Sequence, residues 1–243
     1  MMQTVVLTGA SRGIGHATAK LFSQNGWRVI TCARTEVPDL CPFTQKNQDH
    51  FIIDFSSTDA VDSGLERLRS LLKDEPLHAL VNNAGISPKF EDGSRLDTFT
   101  TEGSVWEEVL QVNLLAPAAF TRTLATSLKN GKGAVVNVTS IAGTRVHKFA
   151  GPAYAASKAA LSALTREQAS DLGKFGVRVN SVSPGEISTG MLSPSTEAEM
   201  LEVIPMRRIG TVEEVAATIL FLCSGSASYI NGTEIEINGG QHV

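Results

Sequence analysis

The sequence predicts an α/β fold: a doubly wound parallel sheet between layers of helices, three layers in all, in a single domain over residues 1–243. Three observations carry this. Short apolar runs of strand length recur along the whole chain and alternate with longer helix-forming stretches, the pattern of successive β-α-β units. The first run, Thr4 to Leu7, opens directly into a glycine-rich turn and a helix-forming segment, TGASRGIGHATAKLF. The 243 residues are 42% hydrophobic and 19% charged, enough to bury one large core, and no linker or internal repeat divides them.

Taken in order, the turn after Leu7 holds Gly9, Gly13 and Gly15 in the pattern T-G-x-x-x-G-x-G. Glycines there let the backbone turn tightly and approach a pyrophosphate, whose charge is met by the amino terminus of the next helix. A strand feeding such a turn and a helix is the entry of a Rossmann-type dinucleotide fold. The first helix is expected from Gly13 to Asn25, with Gly26 as its C-cap, and a second strand from Trp27 to Ala33. Arg34 follows that strand, at the place where a carboxylate would bind a ribose 2′-hydroxyl and an arginine a 2′-phosphate. No acid stands there, and Arg12 lies in the glycine turn. Either arginine alone is equally well read as a solvated surface residue; together they favour NADP(H) over NAD(H), with NAD(H) still usable.

The link from Thr35 to His50 is polar, with Pro38 and Pro42, and predicts a short or irregular connection in place of a crossover helix. FIIDF, Phe51 to Phe55, reads as a third buried strand whose Asp54 either reaches the adenine or caps the helix Ser57 to Leu72. Leu77 to Val81 is the next strand and runs into NNAG, Asn82 to Gly85. Ser87 to Ser104 reads as a long polar loop on the substrate side or at an interface. A helix is expected from Val105 to Lys129. Asn113 within it is an exposed residue or part of a local distortion that Pro117 suggests. AVVNVTS, Ala134 to Ser140, is the fifth strand and Val177 to Thr189 the sixth with its exit turn at Pro184 and Gly185. Residues 190–208 read as a substrate flap. Thr211 and Glu214 form a capping-box start for a helix to Cys223, and Glu234 to Ile237 alternates as a last strand.

Composition narrows the partners. The formal net charge is −4, with no basic block, which argues against nucleic acid or an anionic membrane. No apolar run approaches the roughly 20 residues that span a bilayer, and the amino terminus lacks signal-peptide character. Cys32, Cys41 and Cys223 are odd in number and without metal-ligand spacing, which suits bystander thiols in a reducing cytoplasm. No His, Cys and carboxylate grouping suggests a metal.

The chemistry concentrates in SIAGTRVHKFAGPAYAASK, Ser140 to Lys158. The alanine-rich segment from Pro152 is helix-forming, which sets Tyr154 and Lys158 on one face at i and i+4. A lysine ammonium beside a phenol favours the phenolate and draws its pKa down from about 10. Ser140, at a strand's carboxyl end, is placed to hydrogen-bond the same substrate oxygen. Any Tyr-x-x-x-Lys on its own is better read as an ordinary helix; its setting decides otherwise.

TGASRGIG, NNAG, Asn113, Ser140, YAASK and PGEIST, in this order over the chain, resemble the short-chain dehydrogenase/reductase family, in the style of its 3-oxoacyl-carrier-protein reductases. The resemblance implies an NADPH-dependent oxidoreductase that reduces a ketone, with a 3-oxoacyl thioester as one candidate, or oxidises the matching secondary alcohol. It implies Tyr154 as general acid and base, Lys158 as its pKa-lowering and ribose-holding partner, Ser140 on the substrate oxygen and Asn113 as anchor of a proton-relay water. It also implies that Gly9, Ser11, Arg12, Gly13, Ile14 and Gly15 meet the pyrophosphate and Arg34 the 2′-phosphate. Asp54, Asn83, Ala84 and Gly85 would meet the adenosine, and Pro184, Gly185, Ile187 and Thr189 the nicotinamide. Members are often homotetramers, or dimers, and Ala155, Ala156, Ala159, Ala160 and Ala163 either permit such packing or face the chain's own sheet. An enoyl-thioester reductase disagrees with a Tyr–Lys spacing of four. A non-catalytic NADP-binding sensor or scaffold of the same fold is the remaining alternative.

Overall fold

A computed structural model describes residues 2–36, 49–188 and 200–243. Its centre is a seven-stranded parallel sheet with strand order β3-β2-β1-β4-β5-β6-β9. The strands are β1 Thr4–Thr8, β2 Arg28–Ala33, β3 Asp49–Ile52, β4 Ala79–Asn82, β5 Ala134–Val138, β6 Arg178–Pro184 and β9 Glu234–Ile237. A separate parallel pair, β7 Ile187–Ser188 and β8 Gly210–Thr211, lies between β6 and β9 in the chain. The order reverses between β1 and β4, so the two connections leave in opposite directions and open a crevice at the strands' carboxyl ends.

Alternation along each strand builds the layers. On β1, Val5 and Leu7 enter one core and Val6 the other, as a period of two requires. Helices α1 Gly13–Gln24 and α7 Val212–Cys223 cover the first face through Phe22, Val215, Ile219 and Leu222. The second face is covered by α2 Thr58–Leu72, α4 Ala116–Thr123, α5 Ala125–Gly131 and α6 Pro152–Gly173. Phe120 on α4 is fully buried there; burial of such a side chain contributes about 1.5–3 kcal/mol.

The expected boundaries hold closely where local chemistry fixes them. The capping box at Thr211 is complete, with Glu214 N–H on the threonine hydroxyl and the Glu214 carboxylate on the Thr211 N–H. The expected helix from Val105 to Lys129 is divided instead. It comprises α3 Gly103–Leu110, a π-helical turn Gln111–Leu115, α4 and α5, and the π turn confirms the distortion suggested near Asn113. The third strand is shifted: it covers Asp49–Ile52 and not Phe51 to Phe55. Ile53 and Phe55 stay buried after leaving the ladder, while Ile52 is 51% exposed. Most of the Thr35 to His50 link, with Cys41, lies outside the described residues. On α6, Ala156, Ala159 and Ala163 form an exposed stripe, so these alanines do not pack on their own sheet.

Candidate active site

The turn after β1 and the turn after β4 are joined at the crevice. Thr8 Oγ1 accepts from the N–H groups of Asn83 and Ala84 at 3.0 and 3.1 Å. The Asn83 amide returns two bonds, to the carbonyls of Thr8 and Gly9, both at 3.0 Å. Gly9 has φ +73°, and a Cβ on Gly15 would lie 2.1 Å from the Gly9 carbonyl oxygen. Only glycine permits this approach. Helix α1 starts at Gly13 with no side-chain cap from Arg12, which leaves its amino-terminal field directed at the crevice.

The crevice is a cleft of about 610 Å³ lined by Gly9, Ser11, Arg12, Gly13, Ile14, Gly15, Ala33, Arg34, Asn83, Ala84 and Gly85. Both arginines are exposed at its wall. Phe55, Thr35, Ile86 and Val112 also line it and were not singled out in the sequence. Asp54 does not line the cleft. Its exposed carboxylate accepts from the N–H and hydroxyl of Ser56 at 3.0 and 2.7 Å; these bonds, together with the Arg34 charge, hold its pKa below the usual value.

A second cleft of about 370 Å³ shares Ile14, Asn83, Gly85 and Ile86 with the first and extends to Ser140, Tyr154, Lys158, Pro184, Gly185, Glu186 and Ile187. Thr189 and residues 190–199 of the expected flap lie outside the described residues. Three elements converge here. Ser140 leaves the end of β5 and caps a 3-10 turn, accepting from Ala142 N–H at 3.2 Å. Its side chain lines the same cleft as the Tyr154 phenol and acts on it. Lys158, 3% exposed, donates to the Val138 carbonyl at 2.7 Å, and its Nζ is 5.7 Å from the centre of the Tyr154 ring. Asn113, fully buried, accepts from Ile86 N–H at 2.8 Å and donates to the Ile86 carbonyl and to Ser157 Oγ, both at 3.0 Å. Ser157 in turn donates to the Tyr154 carbonyl at 2.7 Å. Ser157 escaped the sequence reading because a lone serine on a helix carries no signal of its own.

The electrostatics differ from the sequence expectation in one respect. The Tyr154 pKa is raised and not lowered: burial raises it most, the Ser140 hydrogen bond opposes, and the Glu186 charge raises it again. Burial pushes the Lys158 ammonium down from 10.5 to about 8. Spacing brought the two together as expected. Spacing carries no information on how far both are taken from water, and that desolvation dominates.

The fold and site define a class: a dinucleotide-dependent oxidoreductase with its reactive groups at the carboxyl ends of a parallel sheet. A family model described as enoyl-(acyl carrier protein) reductase matches residues 9–242. Protein FixR of Bradyrhizobium diazoefficiens is 52% identical over 242 residues, 99% of this chain and 87% of that protein. A 3-oxoacyl-[acyl-carrier-protein] reductase of Buchnera aphidicola is 33% identical, over 99% of this chain and 98% of that one. Among solved structures, a Brucella ovis oxidoreductase of the short-chain family with a partially ordered NAD matches at TM-score 0.82 and 48% identity, covering 98% and 100% of the two chains. A Brucella melitensis 3-oxoacyl-[acyl-carrier protein] reductase with bound NAD matches at TM-score 0.87 and 30% identity, covering 99% and 91%. The chain belongs to the short-chain dehydrogenase/reductase family. It is an NAD(P)-dependent oxidoreductase of CH–OH and C=O groups.

Proposed function

We propose that this enzyme is an NADP(H)-preferring ketone reductase, or dehydrogenase of the matching secondary alcohol, with Tyr154 as its proton donor and acceptor. The observation that carries the reading is the convergence of Ser140, Tyr154 and buried Lys158 in one small cleft that shares its wall with the dinucleotide-sized one.

The residues present fit the cofactor. The uncapped start of α1 and the close glycine turn suit a pyrophosphate. Arg12 and Arg34 suit a 2′-phosphate, and Pro184, Gly185 and Ile187 the nicotinamide end. When bound, the nicotinamide supplies or accepts the hydride. The chain handles the proton and the charge on oxygen. Tyr154, its phenol kept protonated by burial, gives a proton to the carbonyl oxygen as the carbon is reduced, and takes it back in alcohol oxidation. Ser140 donates to that oxygen as negative charge develops. Lys158 supplies positive charge beside the phenol and reaches under Gly85 toward the ribose, where a Cβ on Gly85 would stand 3.3 Å from its Nζ. Asn113 holds the Gly85–Ile86 turn over this ammonium. Its amide is committed to Ile86 and Ser157, so a relay water near it would depend on backbone groups of the π turn.

The reading treats residues 1–243 as one domain with a flap at 190–208. We place it in the cytoplasm, since Cys32 and Cys223 are free, buried thiols and no helix among the described residues is long and apolar enough to cross a membrane. The exposed alanine stripe of α6 and Leu115, 53% exposed, support assembly into a homotetramer, which light scattering would check.

The test is oxidation of NADPH and NADH, in parallel, against a ketone panel. The relatives named for 3-oxoacyl-[acyl-carrier-protein] reduction bring a 3-oxoacyl thioester into that panel. Tyr154→Phe is expected to lose turnover by about 10²–10⁴-fold and to retain cofactor affinity. Turnover by the variant at the wild-type rate would overturn the assignment.

A further inference from the structure

The loop after Ser140 and the turn after Gly185 bring four chargeable side chains to the mouth of the site: Arg145, His147, Lys148 and Glu186. Such a mixture on its own would suit a polar or anionic substrate. The structure sorts them. Arg145 is exposed and its guanidinium donates to the Gln241 carbonyl; Lys148 is exposed. Glu186 is the one of the four that lines the cleft with Ser140 and Tyr154.

Glu186 is held in place from three sides. Gly210 N–H donates to its carbonyl at 2.9 Å, and the preceding Gly185 N–H donates to the Ile237 carbonyl at 3.0 Å. His147 Nε2 lies 2.7 Å from Glu186 Oε1, with the two side chains 15% and 16% exposed. The other ring nitrogen, Nδ1, accepts from Phe149 N–H at 3.3 Å. The Nε2 contact is not aligned as a hydrogen bond: Glu186 Oε1 is buried with no hydrogen-bond partner among the described residues, and is left to accept from a ligand. The pair thus presents a fixed acceptor, anionic when ionised, in the substrate wall.

A carboxylate in that position has a definite preference. It accepts strongly from a hydroxyl and repels a second carboxylate or a phosphate at close range. A plain ketone would remove water from the carboxylate and offer nothing in return. An ammonium would be opposed by Lys158, the other charged group among the described lining residues. The carboxylate lines the same small cleft as Ser140 and Tyr154, and its charge acts on the phenol.

We propose that Glu186 is the specificity-determining residue, selecting a neutral substrate with a hydroxyl beside the reacting carbon, a hydroxyketone or vicinal diol, with His147 as its positioning residue. This rests on reading Ser140 and Tyr154 as the reacting pair.

The test uses the purified full chain with NADPH and three four-carbon ketones: 3-hydroxybutan-2-one, butan-2-one and 2-oxobutanoate. Wild-type kcat/KM is expected to favour the hydroxyketone over butanone by about tenfold or more and to be lowest for the oxo acid. Glu186→Leu brings the first two to near equality and raises the relative rate of the oxo acid. Glu186→Gln keeps an uncharged acceptor, so it retains part of the hydroxyketone preference while admitting the oxo acid. His147→Leu reduces the same ratio. An unchanged ratio in both Glu186 variants, or a wild-type preference for the oxo acid, overturns the proposal. If none of the three is reduced, their binding to the NADPH-loaded protein is read by quenching of NADPH fluorescence. A hydroxyketone preference lost in Glu186→Leu then sustains the proposal and counts against the reductase reading. No preference in binding overturns the proposal.

Discussion

The side chain of Asn113 brackets one residue, Ile86: its oxygen accepts from the Ile86 N–H at 2.8 Å and its amide donates to the Ile86 carbonyl at 3.0 Å. This ties the π turn to the loop that roofs Lys158. Asn113→Ala leaves the N–H and carbonyl of half-buried Ile86 without this partner and takes one of two bonds from buried Ser157. Each orphaned group costs about 1–3 kcal/mol, so the variant is expected to lose about 3 kcal/mol. A urea titration would show this as a lower midpoint at unchanged slope.

Arg34 stands exposed at the cleft wall, and the last residue of β2 before it is Ala33, not an acid. Arg34→Asp is expected to move the kcat/KM ratio of NADPH to NADH by about 10- to 100-fold toward NADH, the value of a charge-assisted bond to phosphate. Parallel initial rates with the two cofactors check it. An unchanged ratio would assign the 2′-phosphate elsewhere.

Lys158 gives stability a pH dependence of known sign. Its folded pKa of about 8 lies below the ordinary lysine value of 10.5, so between these values the unfolded chain binds more protons. Stability from this group is present above about 10.5 and lost as pH falls through about 8. The buried thiols of Cys32 and Cys223, each pushed up from 9.0 to about 12, act oppositely and lower stability as pH rises above 9.0. The lysine contribution is therefore isolated as the difference between wild type and Lys158→Met. That difference is expected to grow by roughly 3 kcal/mol in favour of wild type from pH 7.5 to 10.5, read by chemical denaturation at each pH.

The chain contains two tyrosines, and Tyr229 is fully exposed. In a Tyr229→Phe background, absorbance at 295 nm therefore follows Tyr154 alone. The Glu186 charge contributes to the raised Tyr154 pKa after burial. Glu186→Gln makes the phenolate less costly, so the titration step is expected to move down in pH. An unmoved step would show that the carboxylate does not act on the phenol.

What the sequence made legible was whatever rests on nearest neighbours. Thr211 and Glu214 carry their own capping geometry, and β9 came out with its observed limits, Glu234–Ile237. Tyr154 and Lys158 share a face because four residues nearly complete a helical turn. The third strand was misplaced because FIIDF is apolar but for Asp54, and apolar character does not distinguish a strand on the ladder from buried chain just beyond it. The His147–Glu186 contact joins two loops 39 residues apart (186 − 147), a pairing that local pattern cannot express. The direction of the Tyr154 shift depends on burial, which belongs to the assembled fold.

Asn83 has a consequence for how such a sequence can drift. A Cβ on Gly9 would meet its Nδ2 at 2.8 Å and one on Gly15 at 2.4 Å, while Gly15 also faces the Gly9 carbonyl at 2.1 Å. Trimming Asn83 first would relieve one of the clashes at Gly9, yet Gly15 would still be barred by backbone. The substitutions are ordered as well as coupled: position 15 opens only after the turn itself has been rebuilt, and no single step from this sequence reaches that state. The pyrophosphate turn thus behaves as a ratchet in sequence space, held by an amide that lies 74 residues from Gly9 along the chain.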